Sequence, residues 1–140
     1  MSVVPEGPFG ERVARRLRDE TVIWLTTVGS DGTPQPNPVW FLWDGASSLL
    51  VYNRDHAARL AHVARSAPVS LNFDGNGRGG DIVVLAGAAR PDDTASPPNA
   101  HEGYVAKYRA AMERVSGSLE EFARQYPVAL HIEIRRIRGY

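Results

Sequence analysis

Apolar and polar residues alternate along several short stretches of the chain, and this alternation predicts β-strands with one buried face. It is clearest over residues 69–74 and 128–135, where every second residue is Val, Leu, Ile or Phe. Runs rich in β-branched and aromatic residues predict further strands over 21–28, 36–43, 48–52 and 82–89. The pattern therefore predicts six strands in all.

Between the strands, apolar residues recur at the three- and four-residue spacing of amphipathic helices. The first predicted helix covers Glu11–Asp19, and the second follows Asp55, whose carboxylate is placed to cap it. A third covers residues 104–115. Residues 118–121 have the Ser-x-x-Glu pattern of a capping box, which predicts a last short helix.

The order of these elements predicts a mostly β fold with short peripheral helices. Tight turns at Asp31-Gly32 and Asp44-Gly45 join the early strands, and the helices lie in the later connections. Six largely antiparallel strands with this connectivity form a small barrel. A length of 140 residues with 43% apolar residues is typical of one domain, which we assign to residues 1–140.

Two predicted strands, over 36–43 and 82–89, are apolar on both faces, which a single barrel interior does not explain. Trp40 and Leu42 face away from Val39, Phe41 and Trp43. A second buried surface is needed for them, and a second copy of the chain is the simplest source of it. The sequence therefore predicts a homodimer.

Charge and composition exclude several classes of function. Acidic and basic residues are equal at 16 each, so no overall field attracts nucleic acid or an anionic membrane. The absence of cysteine excludes disulfides and thiol nucleophiles. The four histidines lack the spacing of metal ligands, so we predict no metal site. Apolar runs are too short for a signal peptide or a membrane span, and we expect a cytoplasmic protein.

Glycines at positions 75, 77 and 80 match the dinucleotide-binding pattern Gly-x-Gly-x-x-Gly. In that motif the glycines open a helix, whereas residues 81–85 of this chain continue as a strand. We therefore interpret the segment as a hairpin loop. Arg78 and the loop amides could still contact a ligand of a neighbouring subunit.

One segment has the residues of a phosphate site. Tyr52-Asn53-Arg54 ends a strand and leads into a helix, whose first amides and dipole favour an anion. Arg59 lies about one turn into that helix, and helical side chains lean back toward the N-terminus. Arg54 and Arg59 could therefore meet at one phosphate. The alternative is that both are solvated surface arginines.

Short motifs follow one another in a characteristic order along nearly the whole chain. They are Leu25-Thr26-Thr27, Asp31-Gly32-Thr33-Pro34, Pro38-Val39-Trp40-Phe41, Asp44-Gly45, Tyr52-Asn53-Arg54 with Arg59, Gly87, and Tyr104 to Tyr108. In this order they resemble the pyridoxamine 5′-phosphate oxidase-like split-barrel superfamily, and within it the deazaflavin-dependent reductases that use coenzyme F420. Residues 134–140 do not resemble the substrate-binding end of true pyridoxamine phosphate oxidases, so vitamin B6 oxidation is not expected.

The resemblance implies a six-stranded split β-barrel like that of FMN-binding proteins, and a homodimer with cofactors at the subunit interface. It also implies three groups of cofactor-binding residues. They are Pro38, Val39, Trp40 and Phe41 along the ring, Tyr52, Asn53, Arg54 and Arg59 at the phosphate, and Gly79, Gly80 and Asp81 beside the cofactor of the other subunit.

The implied function is that of an F420-dependent oxidoreductase, which transfers a hydride between the deazaflavin and an unidentified small organic substrate. Two alternatives stay open. One is an FMN-binding oxidoreductase of the same fold, and the other is a non-catalytic split barrel that binds a flavin or heme. No residue is predicted as a proton donor, so the site is described as cofactor-binding rather than catalytic.

Overall fold

The computed structural model describes residues 2–140 and contains seven strands and four helices over that range. The strands are β1 (Ile23–Val28), β2 (Pro34–Val39), β3 (Leu42–Trp43), β4 (Ser48–Asn53), β5 (Pro68–Asn72), β6 (Val83–Pro91) and β7 (Val128–Gly139). The helices are α1 (Gly7–Asp19), α2 (Ala58–Arg65), α3 (Glu102–Ser116) and α4 (Leu119–Gln125). None of these helices is long and apolar enough to cross a membrane. The predicted mostly β fold with peripheral helices is confirmed.

The number of strands differs from the prediction because the segment 36–43 is broken. β2 ends at Val39 and β3 begins at Leu42, so the prediction of six strands is wrong. Between them, the backbone N–H and C=O of Phe41 bind the Tyr108 hydroxyl instead of a neighbouring strand. A continuous apolar run gives no sign of this interruption.

All the strands form one antiparallel sheet in the order β2-β1-β5-β6-β7-β4-β3. Its edge strands, β2 and β3, are consecutive in the chain and are separated by Trp40 and Phe41 alone. Consecutive Cα atoms are about 3.8 Å apart, so the facing ends of the two edge strands lie within about 11 Å of each other. The sheet therefore has to curl into a half-barrel whose edges approach each other.

Two apolar clusters hold this arrangement together. The larger fills the inside of the curl, where Leu71, Leu85 and Ile132 from the sheet meet Val13 and Leu17 from α1. The smaller cluster lies between the outer face of β4 and the helices α3 and α4. Its buried members are Tyr52, Tyr104, Tyr108, Met112, Phe122 and Ala129.

Two of the apolar side chains that motivated the predicted homodimer, Trp40 and Leu42, are partly covered within the chain. Trp40 and Leu42 both pack against the smaller cluster. Part of the cover expected from a second copy is therefore supplied by α3 and α4. Outward-facing residues of β1, β5 and β6 stay partly or fully exposed, among them Trp24, Ser70 and Ala86.

Two predicted helix starts have different outcomes. Ser118 caps α4 as predicted, since its Oγ accepts from the backbone N–H of Glu121 at 3.1 Å. The predicted cap at Asp55 is wrong, because α2 begins at Ala58 and its N-cap residue, Ala57, makes no side-chain cap. The Asp55 carboxylate lies instead beside the His56 ring, 3.1 Å from Nδ1.

Candidate functional site

A cavity of about 270 Å³ opens where the ends of β2 and β4 meet helices α2, α3 and α4. Its walls are formed by Pro38, Val39, Trp40, Tyr52, Arg59, Tyr104, Val115, Phe122 and Tyr126. The first five of these residues were predicted from the sequence as cofactor-binding, and they come from β2 and the residue that follows it, from β4 and from α2. The structure thus brings them together around one space, while their role stays a prediction.

The cavity has an aromatic wall made of stacked rings. Trp40 stacks on Tyr108 with ring centroids 5.0 Å apart, and on Phe122 at 5.5 Å. Phe122 stacks in turn on Tyr126 at 4.4 Å. Only Trp40 of these four residues was predicted as a site residue. The signal was present in the four-residue spacing of Phe122 and Tyr126, but such spacing is equally typical of an ordinary buried helix face.

Arg59 brings a positive charge to this aromatic cavity. Its side chain is half-buried, and burial lowers its pKa, although a guanidinium stays cationic at neutral pH. Its Nε donates to the Asn53 Oδ1 at 2.5 Å. No salt bridge among residues 2–140 involves Arg59. The arrangement places a desolvated cation without a carboxylate partner at the edge of the cavity.

Asn53 positions Arg59 and does not face the cavity. It is fully buried at the end of β4, where its Nδ2 donates to the backbone carbonyls of Val51 at 3.0 Å and Val128 at 3.1 Å. With Oδ1 accepting from Arg59, each polar atom of the amide has a partner within the chain. Asn53 was predicted to touch a phosphate directly, but the structure supports a role in fixing the guanidinium.

The other two predicted phosphate residues are also engaged within the chain. The Tyr52 hydroxyl donates to the carbonyl of Ser96. Burial, with a contribution from Asp92, raises the pKa of Tyr52 to about 12, so it is protonated at neutral pH. Arg54 is exposed and lies over the ring of Tyr126, with its Cζ 4.7 Å from the ring centroid. Its charge therefore lies beside the aromatic wall rather than deep in the cavity.

Phe41, predicted to lie along a cofactor ring, lies outside the cavity. Its side chain is fully buried in the core and packs against Phe73 at a centroid distance of 5.8 Å. Its backbone groups are bound by Lys107 and Tyr108. They are therefore not free for a ligand in this conformation.

The predicted residues of the glycine-rich loop lie away from the cavity. Gly79 and Gly80 belong to the loop between β5 and β6, which confirms that these glycines do not open a helix. The Asp81 carboxylate pairs with Arg12 at 3.0 Å and Arg16 at 3.4 Å, both on α1. Contact between this loop and a second subunit stays a prediction.

The edge strand β2 offers one kind of hydrogen-bonding group to a ligand. Residues 34, 36 and 38 are prolines, and they alternate with Gln35, Asn37 and Val39 along the strand that pairs with β1. In an antiparallel ladder, the N–H and C=O of one residue point to the same side. Proline has no N–H, so these prolines must be the outward-facing residues. The free edge, including Pro38 at the cavity, therefore presents carbonyl acceptors and no donors.

Comparison with known proteins places the chain in a family. A model of the family described as pyridoxamine 5′-phosphate oxidase matches residues 9–139. The chain belongs to this family. The predicted resemblance is thereby confirmed. No curated protein matches the chain.

Three solved structures share the fold of this pyridoxamine 5′-phosphate oxidase family member. An F420 reductase is 21% identical with a TM-score of 0.67, over 96% of this chain and 98% of that one. A Listeria innocua protein assigned provisionally as a pyridoxamine 5′-phosphate oxidase is 20% identical with a TM-score of 0.67, over 91% and 94%. The heme storage protein HutZ from Vibrio cholerae is 14% identical with a TM-score of 0.61, over 99% and 95%. At these identities the likeness shows the fold alone.

The histidines of this family member lie away from the cavity. None of them lines it, so the cavity offers no histidine to a heme iron. His62 on α2 instead places its Nδ1 2.8 Å from the Oγ1 of Thr27, a buried residue of β1. Across residues 2–140, no cluster of three His, Asp or Glu side chains could hold a metal ion.

Proposed function

We propose that this protein is an F420-dependent oxidoreductase, which transfers a hydride between the deazaflavin and a small organic substrate. The observation that carries the proposal is Arg59, a half-buried cation without a carboxylate partner among the described residues, at the edge of an aromatic cavity. F420 has the two features that such a site recognises, a flat aromatic ring and a phosphate. When bound, it supplies the hydride chemistry, while the protein supplies orientation and electrostatics.

A partly desolvated guanidinium is costly unless an anion or a set of acceptors compensates it. Asn53 satisfies only the Nε of Arg59. The two remaining nitrogens of a guanidinium form a planar fork that fits a phosphate. Arg54 adds a second positive charge beside Tyr126, near the same wall. An anionic group is therefore the ligand that these two arginines favour.

The outward edge of β2 fits the ring of such a cofactor, at the end opposite to its phosphate. The pyrimidine edge of a flavin-type ring carries one N–H between two carbonyls. The free carbonyl of Pro38 can accept from that N–H, and no competing donor is present on this edge of β2. Trp40, next along the chain, supplies a flat surface for the ring. FMN shares both features, so it is the second candidate, which the family match favours.

Titration of the purified apoprotein with F420 and with FMN tests this proposal. We expect F420 to bind more tightly, because the motifs of the chain resemble the F420-dependent reductases more than the oxidases. Fluorescence of each cofactor measures the two dissociation constants under the same conditions. Equal or reversed affinities would favour the FMN alternative. If neither binds, while heme added as a third ligand does, the protein belongs to the non-catalytic alternative.

We also propose that the working form is a homodimer whose second copy completes the site. A volume of about 270 Å³ is below the roughly 300–1,000 Å³ typical of small-molecule sites, so one protomer does not enclose the whole cofactor. The outward faces of β1, β5 and β6 would form the interface, since Trp24 and Ala86 are only partly covered there. The loop with Gly79, Gly80 and Asp81 would then reach the cofactor of the partner.

Light scattering at micromolar concentration should give twice the chain mass of 15.3 kDa. Ala86→Arg should lower this mass toward that of one chain, because a charge is placed in the middle of the proposed interface. It should also weaken F420 binding. Ala110→Arg is the matched control, since Ala110 is exposed on α3 outside that sheet face. A stable monomeric parent protein would contradict both the dimer and the shared site.

A further inference from the structure

The break between β2 and β3 is held by two consecutive residues of α3. The Phe41 carbonyl lies 3.1 Å from the Nζ of Lys107 and 2.9 Å from the Tyr108 hydroxyl. The Phe41 N–H donates to that same hydroxyl at 3.0 Å. The hydroxyl is also 2.8 Å from the carbonyl of Thr21, and its one proton serves one carbonyl at a time. Both backbone groups of Phe41 are thus tied to α3.

The neighbouring residue, Trp40, points into the cofactor cavity. Its ring stacks almost parallel on Tyr108, with an interplanar angle of 6°, and on Phe122, with 7°. Successive residues of an extended chain point to opposite sides, so the position of the Phe41 backbone determines where the Trp40 ring lies. Tyr108 therefore acts on Trp40 twice, through the backbone of Phe41 and through direct stacking.

Lys107 is an unusual residue to find at this position. It is the single lysine of the chain, and its ammonium lies 3.9 Å from the centroid of the Phe41 ring. Burial lowers the pKa of Lys107 to about 8, although Asp19 and Glu20 oppose the shift. No salt bridge in the described part of the chain includes it. Its charge is held chiefly by one carbonyl and one aromatic face, both of Phe41.

We propose that Lys107 and Tyr108 are positioning residues, which set the place of Trp40 in the cavity by binding the backbone of Phe41. Neither the ammonium of Lys107 nor the hydroxyl of Tyr108 is a group that the cofactor would touch. They act on the ring-binding surface through Phe41. The link to cofactor affinity rests on the proposed function, whereas the position of Trp40 can be measured without any ligand.

Nuclear magnetic resonance of the apoprotein measures that position directly. The chain has three tryptophans, and the indole N–H signal of Trp40 is assigned with Trp40→Phe. Lys107→Met should shift this signal, because the Phe41 carbonyl loses a donor and the stacked ring moves relative to Tyr108. Trp24 on β1 is the internal reference. Its indole N–H donates to the Asp74 carboxylate at 3.1 Å, and its signal should not shift. Trp43 cannot serve as a reference, because it lines the same cleft as Lys107 and its signal can respond to the substitution directly.

The same variant should weaken F420 binding by roughly five- to tenfold. Lys107→Arg should restore most of the affinity and the parent Trp40 signal, because it keeps a charged donor. Arg109→Met is the matched control, an exposed cation two residues later on α3, and should change neither. Tyr108→Phe keeps the stacked ring but removes the bonds to Phe41, so a shifted Trp40 signal in that variant identifies the backbone as the route.

The outcomes separate this inference from the proposed function. If the parent protein binds no F420, the proposed function fails, and the Trp40 signal alone decides the inference. An unshifted Trp40 signal in both Lys107→Met and Tyr108→Phe overturns it. A shifted signal with unchanged F420 affinity overturns the link to the cofactor. If Lys107→Met does not fold, Lys107→Leu, which also removes the donor, is measured in the same way.

Discussion

Replacing Arg59 with alanine should weaken F420 binding by roughly ten- to a hundredfold, or about 1.5–3 kcal/mol. The guanidinium is half-buried and faces an aromatic cavity, so its contact with a phosphate would be charge-assisted and only partly screened by water. A fluorescence titration of the purified variant with F420 measures the loss. Arg59→Lys should recover part of the affinity, because a point charge serves a phosphate but lacks the planar fork.

Arg65→Ala is the control for this experiment. Arg65 lies in the last turn of the same helix, is exposed, and reaches the carbonyl of Val28 at 3.3 Å. Its removal should leave F420 affinity nearly unchanged. If Arg59→Ala binds as tightly as Arg65→Ala and the parent, the phosphate does not lie at Arg59 and the site on α2 has to be withdrawn.

The Arg59 variant should also be less stable, which the sequence alone does not predict. From the sequence, alanine is a good helix former and little change in stability is expected. The structure shows that Asn53, fully buried, would lose the donor to its Oδ1. A buried acceptor without a partner costs about 1–3 kcal/mol. Binding is therefore measured at a temperature at which circular dichroism shows the variant to be folded.

Phe122→Ala should lower the free energy of unfolding by about 3–5 kcal/mol, the usual range for removing a buried aromatic side chain. Phe122 is 2% exposed and stacks on both Trp40 and Tyr126. Its loss would open a hole between α4 and the end of β2. Urea unfolding monitored by circular dichroism measures the change, and the melting temperature should fall on the order of 10 °C.

A matched control for this variant is Tyr140→Ala. Tyr140 is also a large aromatic residue, but it is 72% exposed, and its backbone bonds to Ile82 do not depend on its side chain. We expect a change within about 0.5 kcal/mol. A loss below about 1 kcal/mol for Phe122→Ala would show that α4 contributes little to the aromatic wall.

Much of the sheet could be predicted from the sequence because a buried face imposes its own periodicity. β5 alternates as expected, and β7 does so over residues 130–135, with Leu130, Ile132 and Ile134 buried. The break after Val39 could not be predicted in this way. It depends on Tyr108, which is 67 residues from Phe41 in the sequence, and no local pattern reports a contact of that range.

Part of the candidate site could also be predicted from the sequence, because some of its residues depend only on local information. Arg59 was identified from its distance to a strand end, which is local information. The role of Asn53 could not be predicted in this way, because it depends on the carbonyl of Val128 from β7. Phe122 and Tyr126 were not identified as site residues, because their four-residue spacing is also typical of an ordinary buried helix face. That spacing does not show that Phe122 on α4 and Tyr126 just after it both border the cavity.

The proline-lined edge of β2 also bears on how this protein behaves at high concentration. An unpaired strand edge invites strands from other molecules, and such pairing can grow into aggregates. An incoming strand needs both donors and acceptors, and the outward edge of β2 has acceptors only. The opposite edge, β3, is two residues long and too short to template a partner. Growth of the sheet by strand addition is therefore disfavoured at both ends, which lowers the tendency of the molecule to polymerise through its edges.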